Sequence, residues 1–89
     1  MNFEWDSKKA GENEAKHGVT FEEATEVFAD PHSSTVSDPD HSQEEERFLI
    51  FGQTEGQRSL VVAFTERGDR IRLVTAREMT RLERKAYEQ

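Results

Sequence analysis

The sequence contains no cysteine, so neither a disulfide framework nor a thiolate metal site is available to it. It also has no apolar run near the length of a signal peptide or a membrane span, which favours a cytoplasmic protein without membrane contact. It has no internal repeat and no long low-complexity segment. At 89 residues, 33% of them hydrophobic, the chain is expected to form a single domain over residues 1–89 with one modest core.

Basic residues are scarce in the first half of the chain and concentrated in the second. Residues 1–46 contain three Lys and Arg against thirteen Asp and Glu, whereas residues 47–89 contain nine, eight of them Arg, against six. A net charge of −7 argues against broad, non-specific binding to nucleic acid. Because the guanidinium group pairs bidentately with phosphate, the asymmetry nevertheless indicates an anionic ligand or partner for the second half.

Helix signals dominate the first third of the chain. Alternating residues at 3–6 predict a short strand that ends in a helix-capping Asp, and residues 7–17 predict a helix that stops at Gly18. Thr20 has the form of an N-cap for a second helix, which the Asp-Pro pair at 30–31 ends.

Strand signals follow, and a last helix is predicted over residues 79–88 with Thr80 as its N-cap. The pattern predicts an edge strand at 33–37 and three further strands at about 46–54, 58–66 and 69–76. A two-residue turn at Arg67-Gly68 would place Phe64 opposite Ile71. It would also leave Arg70 and Arg72 on the face away from the helices, because burying both would be strongly unfavourable.

Arg70 and Arg72 are the first candidates for a binding site. Two positions apart on a strand, they project from the same face about 7 Å apart, a spacing that suits a phosphodiester. The structural alternative, equally weighted, is an exposed sheet face whose arginine stems cover apolar neighbours. Arg77 is predicted to follow the strand directly. His17 suits acid–base chemistry as well as a helix C-cap, and the cap is the favoured interpretation.

A cluster of acidic residues and histidines occupies residues 32–46. It contains His32, His41, Asp38, Asp40 and Glu44–Glu46, which would allow a divalent metal site, but their spacing matches no established ligand pattern. A solvated segment, or a surface offered to a basic partner, is the favoured interpretation.

Taken together, these motifs resemble the BrnT family, the toxins of the BrnT–BrnA type II toxin–antitoxin systems. The resemblance covers nearly the whole chain and is specific only in combination. It rests on Phe3-Glu4-Trp5-Asp6, Asn13, Lys16-His17-Gly18-Val19, Phe21-Glu22-Glu23-Ala24, Glu46-Arg47, Gly52, Thr65-Glu66-Arg67, Arg70-Ile71-Arg72, Thr75-Ala76-Arg77, Thr80-Arg81, Glu83-Arg84 and Tyr87.

The resemblance implies an α+β, RelE-like fold, in which an antiparallel β-sheet carries two N-terminal helices on one face and a short C-terminal helix. It implies a metal-independent endoribonuclease, without cofactors, that inhibits translation. It also implies a BrnA-like antitoxin with a ribbon-helix-helix domain, through which alone the toxin would reach DNA. Exposed sheet edges and an arginine face would further favour a homodimer when the antitoxin is absent.

Site residues follow from the resemblance and from the candidates above. Preset cations usually contribute most to stabilising a phosphorane-like charge, a role for which the candidates are Arg70, Arg72 and Arg77. Further phosphate contacts are expected from Arg47, Arg58 and Arg81. For proton transfer, His17 and Glu66 come before Glu46, Lys16 and Tyr87.

One property departs from the family pattern. RNA binding is driven by phosphate neutralisation, so toxins of this class are expected to be basic, whereas this chain carries a charge of −7. The net acidity and the small set of acid–base residues therefore support an alternative. In that alternative the chain is a non-catalytic binding module, an inactive toxin homologue whose main role is to bind its antitoxin.

Overall fold

The computed structural model describes residues 1–38, 40 and 45–88. In chain order its elements are β1 (Asn2–Glu4), α1 (Ser7–His17), α2 (Phe21–Ala24) with a 3₁₀ segment (Thr25–Ala29), β2 (Ser34–Ser37), β3 (Arg47–Gln53), β4 (Ser59–Arg67), β5 (Arg70–Glu78) and α3 (Arg81–Tyr87). The α+β class is thus confirmed. The second predicted helix has only one α-helical turn before it tightens to 3₁₀ geometry.

Five strands form one sheet in the described residues, in the order β1-β5-β4-β3-β2. The prediction of an antiparallel sheet was wrong at one edge, where β1 pairs parallel to β5. Parallel pairing requires a long crossover between the two strands, and here nearly the whole chain lies between them. Because β1 and β5 are so far apart in the sequence, no local pattern could predict that they pair.

The β4–β5 hairpin turns one residue later than predicted, at Gly68-Asp69. Gly68 has φ +63°, and Asp69 has no positive φ, as in a hairpin turn that needs glycine at its first central position. Phe64 consequently lies opposite Leu73 instead of Ile71. Because this shift is by two residues, the faces assigned to Phe64 and Arg72 stay as predicted.

A bulge in β5 shifts the pairing again beyond Leu73. Phe64 pairs with Leu73, but the next residue back along β4, Ala63, pairs with Thr75, so Val74 is the extra residue of β5. The bulge moves Ala76 into the core in place of Thr75. The strand also runs on to Glu78, so the prediction that Arg77 follows the strand was wrong.

The hydrophobic core lies between the helical segments and one side of the sheet. The helical side and its connection contribute Val19, Phe21, Ala24 and Val27, and the strands contribute Ile50, Leu60, Val62, Phe64, Leu73 and Ala76. Phe28 contacts both Phe3 and Phe64 edge-to-face, with ring centroids 5.1 Å apart in each pair. These contacts join β1 to the centre of the sheet.

Asn13 attaches α1 to the edge of β5 beyond the last residue of β1. Its side-chain nitrogen donates to the carbonyl oxygens of Ala76 (2.9 Å) and Val19 (3.0 Å), and its side-chain oxygen accepts from the Ala76 N–H at 3.0 Å. The amide thus satisfies Ala76 as a neighbouring strand would. The helix itself is bounded as predicted, by Asp6 at its N-cap and Gly18 at φ +69°.

The last helix is joined to the sheet through polar side chains. Thr80 and Glu83 form a complete capping box, as the sequence signal at Thr80 predicted for the N-cap. No residue of α3 is buried, and the Tyr87 hydroxyl donates to Asp30 in the turn after the 3₁₀ segment. None of the helices described is both long and apolar enough to cross a bilayer.

Candidate nucleic-acid interface

The sheet surface opposite the core carries the arginines. We call this surface the arginine face and define it by Arg47, Arg67, Arg70, Arg72 and Arg77. Strand alternation assigns them to it, because each is one or three positions from a residue of its strand that points into the core. These core residues are Phe48, Phe64, Leu73 and Ala76. The bulge at Val74 is what brings Arg77 onto the same face as Arg72, since without it the two would lie on opposite sides.

Arg70 and Arg72 share one carboxylate. Arg72 Nη1 donates to Glu4 Oε2 at 2.9 Å and Arg70 Nη1 donates to Glu4 Oε1 at 3.3 Å. The hydrogen bond from Arg72 is the main cause that lowers the pKa of Glu4. Two guanidinium groups against one carboxylate leave one positive charge uncompensated within this trio. The predicted common face of Arg70 and Arg72 is confirmed.

Arg77 has a carboxylate partner of its own. Both of its terminal nitrogens donate to Glu83 of α3, at 2.8 and 3.0 Å, and Nη1 also donates to the Glu78 carbonyl at 3.2 Å. Arg77 is five positions after Arg72 along β5, a distance of roughly 15 Å at the usual strand rise. The arginine face therefore has Arg70 and Arg72 towards one end and Arg77, paired with Glu83, towards the other. Arg67, opposite Arg70, is paired with Glu45 at 3.2 Å.

Arg47 and Arg72 lie on either side of Thr65. In the pairing register, Thr65 of β4 is opposite Arg47 of β3 on one side and opposite Arg72 of β5 on the other. Thr65 is only 4% exposed, and its hydroxyl has no hydrogen-bond partner in the described part of the chain. Thr65 is among the motif residues of the sequence, but no role was predicted for it. Its burial and its hydrogen-bond partners depend on the tertiary structure, which the motif does not show.

The two candidates for proton transfer lie away from this row. Glu66 alternates with Thr65 along β4, so it projects from the side of the helices, where it is exposed. His17 ends α1 and lines a groove of about 230 Å³ along the edge of β5, together with Lys9, Lys16, Val74 and Thr75. The groove adjoins the arginine face through Thr75.

The other predicted phosphate contacts are dispersed. Arg58 lies at the opposite end of the sheet, where it donates to Glu23 at 2.6 Å and to the Gly18 carbonyl at 3.3 Å. Arg81 is exposed on α3. Only Arg47 of this group lies beside Arg72. The ion pair of Arg58 with Glu23 ties the residue before β4 to α2, a contact that sequence spacing could not reveal.

The alternative metal site falls partly outside the described residues. His41 and Glu44 lie beyond the described ranges, whereas His32, Asp38, Asp40, Glu45 and Glu46 lie within them. Residues 1–38, 40 and 45–88 contain no group of three or more His, Asp or Glu side chains placed to hold a metal ion.

Two comparisons with known proteins gave matches. The model of a family described as "Ribonuclease toxin, BrnT, of type II toxin-antitoxin system" matches residues 5–83. The crystal structure of the Brucella abortus ribonuclease toxin BrnT superposes with a TM-score of 0.67 at 23% sequence identity, covering 91% of this chain and 99% of that one. At this identity the superposition establishes a shared fold. A comparison with curated protein sequences gave no match.

Proposed function

This chain belongs to the BrnT family of ribonuclease toxins of type II toxin–antitoxin systems, and from that premise we propose that it is a metal-independent endoribonuclease that inhibits translation. The observation that carries the proposal is the arrangement around Glu4, which compensates only one of Arg70 and Arg72. Within the trio of Arg70, Arg72 and Glu4 one positive charge is left over on a sheet face opposite the core, although Asp6 also interacts with Arg72 and the net charge of the chain is −7. Such a local site can bind phosphate although the whole protein is acidic.

The reaction would use the ribose 2′-hydroxyl of the RNA as nucleophile. The 2′-oxygen attacks the adjacent phosphorus and loses its proton to a base, and the P–O5′ bond breaks as an acid protonates the leaving 5′-oxygen. The products are a 2′,3′-cyclic phosphate and a 5′-hydroxyl. Arg70, Arg72 and Arg77 would stabilise the additional negative charge on the phosphorus oxygens, a task for preorganised cations.

Arg77 would serve this role only after a change of partner. Both of its terminal nitrogens donate to Glu83, so RNA would have to compete with that carboxylate. RNA would compete more easily for Arg72, because the carboxylate of Glu4 is shared between Arg72 and Arg70. We therefore place the primary phosphate contact at Arg72, with Arg47 beside it and Arg58 and Arg81 as outer contacts.

For proton transfer we propose His17 before Glu66. His17 lies in the groove that reaches the arginine face at Thr75, whereas Glu66 projects from the other side of the sheet. An imidazole ring can also both accept and donate a proton, which suits both acid and base roles.

The remaining proposals concern fold type and partners. We propose that residues 1–89 act as one RelE-like domain in the cytoplasm and form a homodimer when unbound. A BrnA-like ribbon-helix-helix antitoxin would bind the arginine face and block RNA, and it alone would contact DNA. Acidic side chains from that antitoxin would suit the uncompensated charge beside Glu4.

Cleavage of RNA by the purified chain tests the function. The wild-type protein is expected to cleave with a chelator present, and both Arg72→Ala and Arg77→Ala are expected to abolish cleavage and growth arrest while keeping a cooperative unfolding transition. Arg84→Ala, which removes an exposed arginine of α3, is the matched control and should remain active. Loss of the fold in the Arg72 and Arg77 variants would assign those arginines a structural role.

The second candidate is the non-catalytic module that binds an antitoxin. The ion pairs of Arg72 with Glu4 and of Arg77 with Glu83 support it, because RNA would have to displace these carboxylates and would bind less strongly. In that case the wild-type chain would neither cleave RNA nor arrest growth, yet would co-purify with the antitoxin encoded beside it. Growth arrest that the co-expressed antitoxin relieves would exclude this candidate.

A further inference from the structure

Thr65 carries a hydroxyl that the folded chain does not use. The residue is 4% exposed, and its Oγ1 atom is out of contact with solvent and has no hydrogen-bond partner in the described part of the chain. Most buried polar groups in folded proteins are hydrogen-bonded, because an unpaired one costs free energy of folding. Valine would fill the same volume in a strand without that cost. Because the hydroxyl does not stabilise the unbound protein, a role other than stability has to account for it.

The surroundings of Thr65 favour an anion. Arg47 and Arg72 are its cross-strand neighbours on β3 and β5, and directly opposite residues have Cα atoms about 4.5–5.5 Å apart. Arginine stems are longer than this spacing, so both guanidinium groups can reach a point above Thr65. A phosphate bound between them would meet two cationic forks from the sides and one hydroxyl donor from below.

We propose that Thr65 donates a hydrogen bond to a phosphate oxygen of the RNA, which Arg47 and Arg72 hold between them. The inference rests on the proposed function, because RNA is the ligand it assumes. In the unbound protein, long arginine side chains can cover the small hydroxyl, and turning them toward a phosphate would uncover it. Thr65 would then be a positioning residue, because it fixes where the RNA backbone lies on the arginine face.

A non-cleavable ligand separates this inference from the proposed activity. A 2′-O-methyl oligoribonucleotide lacks the nucleophile, so its affinity reports binding alone, and fluorescence anisotropy over a series of salt concentrations measures it. Thr65→Val is expected to weaken binding about tenfold, the value of one hydrogen bond to a charged acceptor. Thr65→Ser keeps the hydroxyl and should restore most of the affinity.

The salt dependence distinguishes Thr65 from an arginine. The slope of log affinity against log salt counts neutralised phosphates, so Arg72→Ala should reduce its magnitude by about 0.7. Thr65→Val removes a neutral donor and should leave the slope unchanged. Thr35→Val is the control for binding and should bind as the wild type does. Thr35 pairs with the core residue Ile50, so it lies on the side of the sheet away from the arginine face.

Thermal unfolding separates ligand binding from a structural role. Thr65→Val is expected to melt at the same temperature as the wild type or above it. Thr54→Val should melt lower, because the buried Thr54 hydroxyl accepts a hydrogen bond from the Arg58 N–H at 3.1 Å. A lower melting temperature for Thr65→Val, or wild-type affinity, would overturn the inference.

The possible results also distinguish the two proposals. If the wild-type protein cleaves RNA and Thr65→Val binds normally, the inference fails and the activity stands. If the wild-type protein binds the oligonucleotide through Thr65 but cleaves nothing, the phosphate site stands and the activity fails. Wild-type protein that neither binds nor cleaves would overturn both.

Discussion

Glu83 accepts two hydrogen bonds from the guanidinium group of Arg77, at 2.8 and 3.0 Å. The same carboxylate accepts from the backbone N–H of Thr80 at 2.8 Å, so it caps α3 and joins this helix to β5. The hydrogen bond from Arg77 lowers the pKa of Glu83 to about 2. One side chain thus both compensates the charge of Arg77 and attaches the last helix to the sheet.

This pKa predicts a dependence of stability on acid. The pKa of Glu83 falls from an ordinary value of 4.5 to about 2 on folding, so its ionised form stabilises the folded protein above pH 4.5. The contribution is lost as the pH falls from about 4.5 toward 2. Glu83→Gln should lower the free energy of unfolding at pH 7. The expected loss is only about 1–2 kcal/mol, because solvent weakens the partly exposed pair of Glu83 with Arg77.

Urea denaturation at pH 7 and pH 3 measures this effect. The difference between wild type and Glu83→Gln should shrink at the lower pH, where the wild-type carboxylate is losing its charge advantage. Glu88→Gln is the control, because Glu88 is exposed at the end of α3 and should change stability little. Equal differences at both pH values would contradict the prediction.

Asn13 supports a second prediction, that one side chain holds α1 to the sheet. Its three hydrogen bonds to Ala76 and Val19 are buried. Asn13→Ala should lower the free energy of unfolding by about 2–4 kcal/mol, because it leaves backbone groups buried without partners. Asn13→Asp should also destabilise, since a carboxylate cannot donate to the two carbonyl oxygens.

The control for Asn13 is an exposed position one residue further along the same helix. Glu14→Ala removes a side chain that is exposed and should change the denaturation midpoint little. If Asn13→Ala unfolded at the same urea concentration as Glu14→Ala, the amide would not be the attachment point of α1.

Two glycines provide a matched pair for a third prediction. A Cβ atom on Gly52 would lie 3.0 Å from Val27 Cβ and 3.1 Å from the Val27 carbonyl oxygen, whereas a Cβ on Gly11 would meet nothing within 4 Å. Gly52→Ala should therefore destabilise by about 1–3 kcal/mol through overpacking of β3 against the 3₁₀ segment. Gly11→Ala, within α1, should stabilise by about 0.5–1 kcal/mol.

Thermal unfolding of the two alanine variants tests the close approach directly. The melting temperatures should move in opposite directions from that of the wild type. A Gly52→Ala protein as stable as the wild type would show that β3 and the 3₁₀ segment can separate at little cost.

Local signals in the sequence located the helix ends and the face of the central arginines. Asp6, Gly18 and Thr80 act on backbone groups within four residues of themselves, so their patterns are visible without the fold. The face of Arg70 and Arg72 was also predictable, because strand alternation and the cost of burying charge decide it together. A two-residue error in register preserved that assignment.

Long-range partners could not be predicted in the same way. Glu4 is 68 residues from Arg72 and Asn13 is 63 residues from Ala76, and neither pair has a local signature. The sequence pattern did not predict the bulge at Val74, although it decides the face of Arg77. The face of Arg70 and Arg72 was thus predictable from the sequence, whereas the carboxylates that pair with the arginines were not.

Tyr87 supports a fourth prediction, about the stability of α3 in alkali. Burial raises the pKa of Tyr87 to about 12, and its hydrogen bond to Asp30 acts in the same direction. Because the folded-state pKa exceeds the ordinary value of 10, the protonated phenol stabilises the folded protein below pH 10. That contribution is lost as the pH rises from about 10 to 12. Tyr87→Phe should lower the free energy of unfolding by about 1 kcal/mol at pH 7. It should also abolish the loss of stability that deprotonation of Tyr87 causes in alkali.

Hydrogen exchange at neutral pH locates the effect. The amides of α3 should exchange faster in Tyr87→Phe, while those of the buried strand β4 change no more than the global stability requires, because α3 contributes no buried residue. Leu82→Ala is the control on the same helix, since Leu82 is 80% exposed and should leave exchange nearly unchanged. If Tyr87→Phe accelerated exchange equally in α3 and β4, the helix would not open as a separate unit.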